Sequence, residues 1–246
     1  MKNILILGGT GYIGNCLSSN LNRDYNVSIV GTSTKNKFII GEEVDKEIFK
    51  NINIVLYLSW SFDLRNKYYS EQNINSFKTV VDVCKERNIK LFFISTYYAN
   101  KDSLSIYNRT KAHCEDIAIE SGFKVIRLGS VILNNITPGG VYGNISNFYN
   151  KYKIFPIFLP NKKKFYLTNS DNLNSLCKDL STIDKNISYY CSDKSSTLFN
   201  LFNLNNKFLF KVYIPWKIVF WVLLFSEKIG IKLKFHSQNL VSIWAE

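Results

Sequence analysis

The chain has 246 residues, 46% of them hydrophobic and 20% charged, with a formal net charge of +12. That length suffices for one large domain or a domain with a small partner, and the apolar content excludes wholesale disorder. The charge is uneven: residues 126–246 hold 15 of the 31 basic but only 6 of the 19 acidic side chains. This half should attract anions, whether nucleotide phosphates, nucleic acid or a lipid surface. Five scattered cysteines without a C-x-x-C pair, and only two histidines (His113 and His236), speak against a disulfide framework, a zinc site or any other metal centre. They point to a reducing compartment. Four apolar residues after Met1-Lys2-Asn3 are too few for a signal-peptide core, so a cytoplasmic protein is expected.

In chain order, Ile4–Leu7 reads as a buried strand running into Gly8-Gly9-Thr10-Gly11, and Tyr12–Leu21 as a helix. Strands are predicted at Val27–Val30, Asn53–Leu58, Leu91–Ile94 and Phe123–Leu128, with a short one at Phe38–Ile40. Helices are predicted at Asn73–Arg87 and Tyr107–Ser121. Continuously apolar strands alternating with helices imply an α/β fold, a doubly wound parallel sheet covered on both faces. Past about Ile132 the pattern loosens into a turn at Pro138-Gly139-Gly140, a helix at Ile145–Lys153, a strand at Phe165–Thr168, and helices at Ser196–Phe202 and Trp216–Ile229. The expected organisation is a dinucleotide-binding domain over 1–133 and a small substrate lobe over 134–246.

Gly8, Gly9, Gly11 and Gly14 satisfy both G-x-x-G-x-x-G and G-x-G-x-x-G directly between a strand and a helix. Such glycines allow a sharp turn, close approach of a pyrophosphate, and tight packing of helix on strand. The helix start then aims its free amides at phosphate oxygens. Thr10, Tyr12 and Ile13 belong to the same loop. The second strand ends in Gly31-Thr32-Ser33-Thr34-Lys35-Asn36-Lys37, without the acid that ordinarily binds the ribose hydroxyls of NAD. Glycine leaves room for a 2′-phosphate, Thr32, Ser33 and Thr34 can donate to it, and Lys35 or Lys37 can neutralise it. NADP(H) is favoured and NAD(H) stays open.

Y-x-x-x-K occurs five times, so context must choose among the copies. Only Tyr107/Lys111 opens a helix between two sheet strands, with Ser95-Thr96 ending the preceding strand. Four-residue spacing puts both side chains on one helix face. With these residues in place, the chain resembles the extended, NAD-dependent epimerase/dehydratase branch of the short-chain dehydrogenase/reductase superfamily. The likeness rests on Gly8–Gly14, Leu58-Ser59-Trp60, Asn73, Phe93–Thr96, Tyr107–Lys111 with Glu115, and Arg127-Leu128-Gly129 followed by Val131. The resemblance implies that Tyr107 exchanges a proton with a sugar oxygen while hydride moves between nicotinamide and carbon. Lys111 would lower the phenol's pKa and bind the nicotinamide ribose. Thr96, or less favourably Ser95, would hydrogen-bond the sugar oxygen. Leu58, Ser59, Trp60, Asn73 and Leu128 would border the cofactor, and a homodimer through two sheet-flanking helices would follow the family habit.

Within that branch, Tyr97-Tyr98 replaces the Asp-Glu pair of sugar-nucleotide dehydratases. No cysteine lies near Thr96, and His113 should point away from Tyr107, which disfavours ring-carbon epimerisation. The acid-free loop and the ten residues between Thr96 and Tyr107 favour NADPH-dependent reduction of a nucleotide-linked 4-keto-6-deoxysugar, of the kind used in surface polysaccharides such as O-antigen. The alternatives are a 4-epimerase with retained NAD, and a non-catalytic dinucleotide-binding scaffold. Lys162–Lys164 is read as a solvated turn rather than a phosphate site. Phe208–Phe225 is nearly all apolar but broken by Lys211, Pro215 and Lys217. An extended piece up to Ile214 and then a lobe-packing helix is favoured over peripheral membrane contact or a span. No nucleic-acid-binding signature is present.

Overall fold

The computed structural model describes residues 1–64, 66–133, 147–159, 164–193, 195–197, 210–231, 237–238 and 241. Strands β1 (Asn3–Leu7), β2 (Asn26–Val30), β3 (Ile54–Tyr57), β4 (Lys90–Thr96) and β5 (Lys124–Leu128) alternate with helices α1 (Tyr12–Leu21), α2 (Tyr69–Glu86) and α3 (Ile106–Glu120). All strand pairs of this sheet are parallel, in the order β2-β1-β3-β4-β5 and then a sixth strand, Ile187–Tyr190. The order reverses between β1 and β3, which opens a crevice at the strands' carboxyl ends.

Alternate strand residues explain why both faces are covered. Leu5, Leu7, Val55, Tyr57, Leu91 and Phe93 meet α2 and α3 through Phe77, Val80 and Cys114. Their neighbours Ile4, Ile6, Leu56, Phe92 and Ile126 form the opposite core with Leu17 and Leu21 of α1. Leu173 and Leu176 complete that second core from α4 (Ser170–Asp179), whose N-terminus carries a reciprocal Asn169/Asn172 capping box. Sheet strand and helix thus come from beyond residue 133, and Asn20 Nδ2 donates to Asn174 Oδ1 at 2.8 Å between α1 and α4.

The remaining strands are β6 (Ser130–Val131), β7 (Ile154–Leu159), β8 (Lys164–Thr168), β9 (the sixth sheet strand), β10 (Ser195–Thr197) and β11 (Phe210–Pro215), followed by α5 (Trp216–Lys228). β10, β8 and β6 make a small sheet, and β11 pairs with β7 in parallel.

Several expectations change. No strand forms at Phe38–Ile40: only a Gly31–Lys37 bridge does, while Phe38 sinks into the core as an anchor for the loop. α2 starts four residues earlier than the apolar spacing suggests, because Tyr69 is itself buried. Ser195–Thr197 is a strand instead of a helix start, paired to Lys164–Tyr166, and 198–202 lie outside the described residues. So do the turn at 138–140 and Lys162-Lys163. α5 packs only one side: Leu223 and Ser226 are buried and Trp216, Val219, Phe220 and Leu224 half-buried, while Ile218, Trp221, Val222 and Phe225 stay exposed.

One ion pair pins α3 to the sheet. Arg127 on β5 grips both carboxylate oxygens of Glu115, Nε donating to Oε1 at 2.9 Å, and the Glu115 side chain is only 4% exposed. Fork-to-fork geometry is what makes such a pair specific. Truncation at Glu115 would strand a half-buried guanidinium. Glu115→Ala should therefore lower the unfolding free energy by about 3 kcal/mol in chemical denaturation, and a loss below about 0.5 kcal/mol would mean the pair does not hold the helix.

Candidate active site

The glycine turn is built as a phosphate cradle requires. Gly8 has φ +85°, a left-handed conformation, and a Cβ there would lie 2.7 Å from Ser59 N. A Cβ at Gly14 would lie 2.6 Å from both Gly8 O and Gly9 Cα, so α1 packs directly on the turn. At Gly31 it would meet Thr10 Oγ1. All three contacts are with the protein itself, so glycine at these positions lets the turn, α1 and the neighbouring strand ends pack closely, and Gly11 leads into the start of α1.

A cavity of about 340 Å³ opens over this turn, lined by Gly8, Thr10, Gly11, Gly31, Thr32, Phe38–Ile40 and Leu58–Phe62. A second, of about 250 Å³, is lined by Ile13, Leu58, Trp60, Phe62, Ile94–Thr96, Tyr107, Lys111, Leu128, Gly129 and Val131. Leu58, Trp60 and Phe62 belong to both walls, so the two cavities adjoin. Thr96, Tyr107 and Lys111, chosen from sequence spacing, do converge on one space.

Not every expected residue lines these spaces. Asn73 is fully buried: Ser61 N donates to its Oδ1 at 3.0 Å and its Nδ2 donates to Tyr69 O at 2.8 Å. It clamps the loop after β3 instead of reaching a cavity. Tyr12 also has a positioning role, its hydroxyl donating to Leu133 O and accepting from Leu133 N, each at 2.9 Å. In the β2 turn, Ser33, Lys35 and Lys37 are exposed, while the Thr34 hydroxyl is engaged with Gly31 and Asn36. Thr34 is thereby less available to a phosphate than its neighbours.

The second cavity is lined by aromatic rings. The Tyr107 ring stacks under Phe62 (centroids 6.0 Å, 23° between planes) and meets Trp60 edge-on at 5.9 Å. Its hydroxyl has no hydrogen-bond partner among the described residues. Lys111 is buried. Its Nζ donates to Ile94 O at 3.0 Å and sits 3.8 Å from the Trp60 ring centroid and 4.6 Å from that of Phe93. Loss of water dominates both groups. Burial pushes the Tyr107 phenol well above its ordinary pKa, and lowers the Lys111 ammonium to about 7. The Lys111 ammonium is engaged with Ile94 O and the Trp60 ring, and burial alone sets the direction of the phenol.

Sequence order favoured Thr96 over Ser95, and the structure puts both at the cavity. Thr96 Oγ1 accepts from Tyr98 N at 3.3 Å and keeps its own proton to donate. Ser95 Oγ is buried and has no hydrogen-bond partner among the described residues, at the wall of the second cavity. Trp60 and Phe62 were the underread residues. Trp60 carried a family match but no assigned role beside Lys111, and the two-residue spacing from Phe62 was the available signal.

A parallel sheet with a glycine-rich turn at its switch point, and Thr, Tyr and Lys at the carboxyl edge, defines a protein of Rossmann-like fold. The family model described as the NAD dependent epimerase/dehydratase family matches residues 4–136, more than half of the chain, and the protein belongs to that family. No curated protein matches it. Similar solved structures include MoeE5 in complex with UDP-glucose and NAD, at 14% identity, TM-score 0.71, covering 87% of this chain and 85% of that one. UDP-N-acetylglucosamine 4-epimerase from Methanobrevibacter ruminantium M1 shares 21% identity at TM-score 0.68, with coverage of 87% and 85%. L-threonine dehydrogenase from Phytophthora infestans shares 15% at TM-score 0.71, over 99% of this chain and 88% of that one.

A lysine forced into a dry site costs stability in a definite pH window. Lys111 gives up its proton near pH 7 when folded but near 10.4 when unfolded, so the unfolded chain binds more protons between these values. The penalty is full below pH 7 and fades as pH rises toward 10. Lys111→Met should therefore melt several degrees above the wild type at pH 6, with the gap closing by pH 10. A gap independent of pH would show that Lys111 is not desolvated.

Proposed function

We propose that the protein is an NAD(P)-dependent oxidoreductase that reduces the keto group of a nucleotide-linked 4-keto-6-deoxysugar. The observation that carries this reading is the shared wall of Leu58, Trp60 and Phe62. It brings a dinucleotide cradle and the Thr96/Tyr107/Lys111 cluster into adjoining cavities. Gly8, Gly11, Gly14 and the α1 amides would hold the pyrophosphate; Thr32, Ser33 and Lys35 would meet the adenosine ribose or its 2′-phosphate. When bound, the nicotinamide supplies hydride.

The chain's own groups then handle the proton. Thr96 Oγ1 donates to the carbonyl oxygen and polarises it, with Ser95 Oγ beside it. Tyr107 passes its phenolic proton to that oxygen as the alcohol forms. A phenol is protonated at neutral pH, so Tyr107 can donate, and the same group run in reverse would serve the oxidative half of an epimerisation. Lys111 stabilises the phenolate left behind once its ammonium turns from Ile94 O into the cavity. The basic excess beyond residue 126 suits a nucleoside diphosphate.

The acid-free β2 turn supports NADPH, and with it the reductase over a 4-epimerase holding NAD. The epimerase shares the ketone intermediate and is named among the structural neighbours. The three converging groups argue against a non-catalytic scaffold.

With a nucleoside-diphosphate 4-keto-6-deoxyhexose, absorbance at about 340 nm should fall as NADPH is consumed. Tyr107→Phe should cut kcat by roughly 10²–10⁴ and Thr96→Val by a smaller factor, with KM for NADPH little changed. Undiminished turnover by Tyr107→Phe would overturn the assignment. NAD retained through purification, with interconversion of 4-epimers and no net NADPH use, would select the epimerase.

A further inference from the structure

α5 presents an apolar face to solvent. Ile218, Trp221, Val222, Phe225 and Ile229 are each more than half exposed, and their spacing places them on one side of the helix. Leu223 and Ser226 face the other way and are buried. On that other side Trp216, Val219, Phe220 and Leu224 are half-buried, so α5 packs on the protein with one side and leaves an apolar face, normally covered, to solvent. Exposed Tyr213 of β11 lies just before it in the chain.

Among the described residues, the charges on this face have one sign. Lys217 and Lys228 are exposed, and they fall four residues before and seven after Trp221, on its side of the helix. The helix's single acid, Glu227, faces inward, its carboxylate accepting from Ser237 N at 2.6 Å and Ser237 Oγ at 2.8 Å. We propose that α5 is a docking face for an anionic lipid surface. It would lie in the plane of the bilayer, with Trp221 and Phe225 at the headgroup boundary and Lys217 and Lys228 reaching lipid phosphates. Thirteen residues rise about 20 Å, too little for a hydrocarbon core of about 30 Å. No helix among the described residues is long and apolar enough to cross a membrane. Protein interface cores are depleted in lysine, whereas basic rims beside Trp and Phe are the composition of helices that lie on membranes. The face also connects to the candidate site: Gln238, next to Ser237, accepts from Ile106 N at 3.4 Å, one residue before Tyr107.

The test is co-sedimentation of the full chain with vesicles of phosphatidylcholine alone or mixed with phosphatidylglycerol. The proposal expects binding to the mixed vesicles roughly 10-fold above the neutral ones, with a blue shift of tryptophan emission. It expects about a tenfold loss in W221S/F225S and in K217Q/K228Q, both retaining the wild-type melting temperature. Equal or absent binding to both vesicle types would overturn it. So would a lipid-free, concentration-dependent dimer that W221S/F225S dissolves, since the face would then belong to a second copy of the chain.

Discussion

The position of every group in the candidate site depends on how closely α1 approaches the turn after β1. Gly8 O and Gly9 Cα occupy the space where a Cβ at Gly14 would stand, 2.6 Å away. That contact fixes the helix start over the strand end, and Gly8 in turn lies against the backbone of Ser59. The β3 loop is thereby set from one side, and Asn73 sets it from the other through Ser61 and Tyr69. Trp60 and Phe62, carried on this loop, then reach across to Tyr107. A chain of backbone contacts from the glycine turn thus ends on the phenol.

The second constraint is desolvation. Lys111 is sealed beneath Trp60 and Phe93 and Tyr107 is half-buried against Trp60 and Phe62, and loss of water shifts each toward its neutral form. A neutral phenol is a proton donor in waiting. A lysine that loses its proton near pH 7 gains charge readily once an anionic or hydroxyl-bearing ligand offers a better partner than Ile94 O. The Glu115–Arg127 pair holds α3, and with it both groups, against the sheet.

Much of this was readable from residues alone. The glycine turn, the four central strands and the Tyr107/Lys111 helix follow from apolar runs and local turn chemistry, which act within a few residues. What was not readable depended on long-range pairing. Ile187–Tyr190 joins the sheet by pairing with β5, and only its partner distinguishes it from any short polar-apolar strand. Asn73 carried a motif match, yet its amide serves the loop because burial leaves it nowhere else to bond. The exposed face of α5 was hidden by its composition, since apolar content predicts burial equally well against protein or lipid.

The most direct test of the account is the fate of the transferred hydrogen. With NADPH deuterated at the transferable C4 position and a nucleoside-diphosphate 4-keto-6-deoxyhexose, the product sugar should carry one deuterium at carbon 4, read by mass spectrometry and NMR. A product alcohol without deuterium, or a keto sugar left unreduced while 4-epimers exchange, would contradict it.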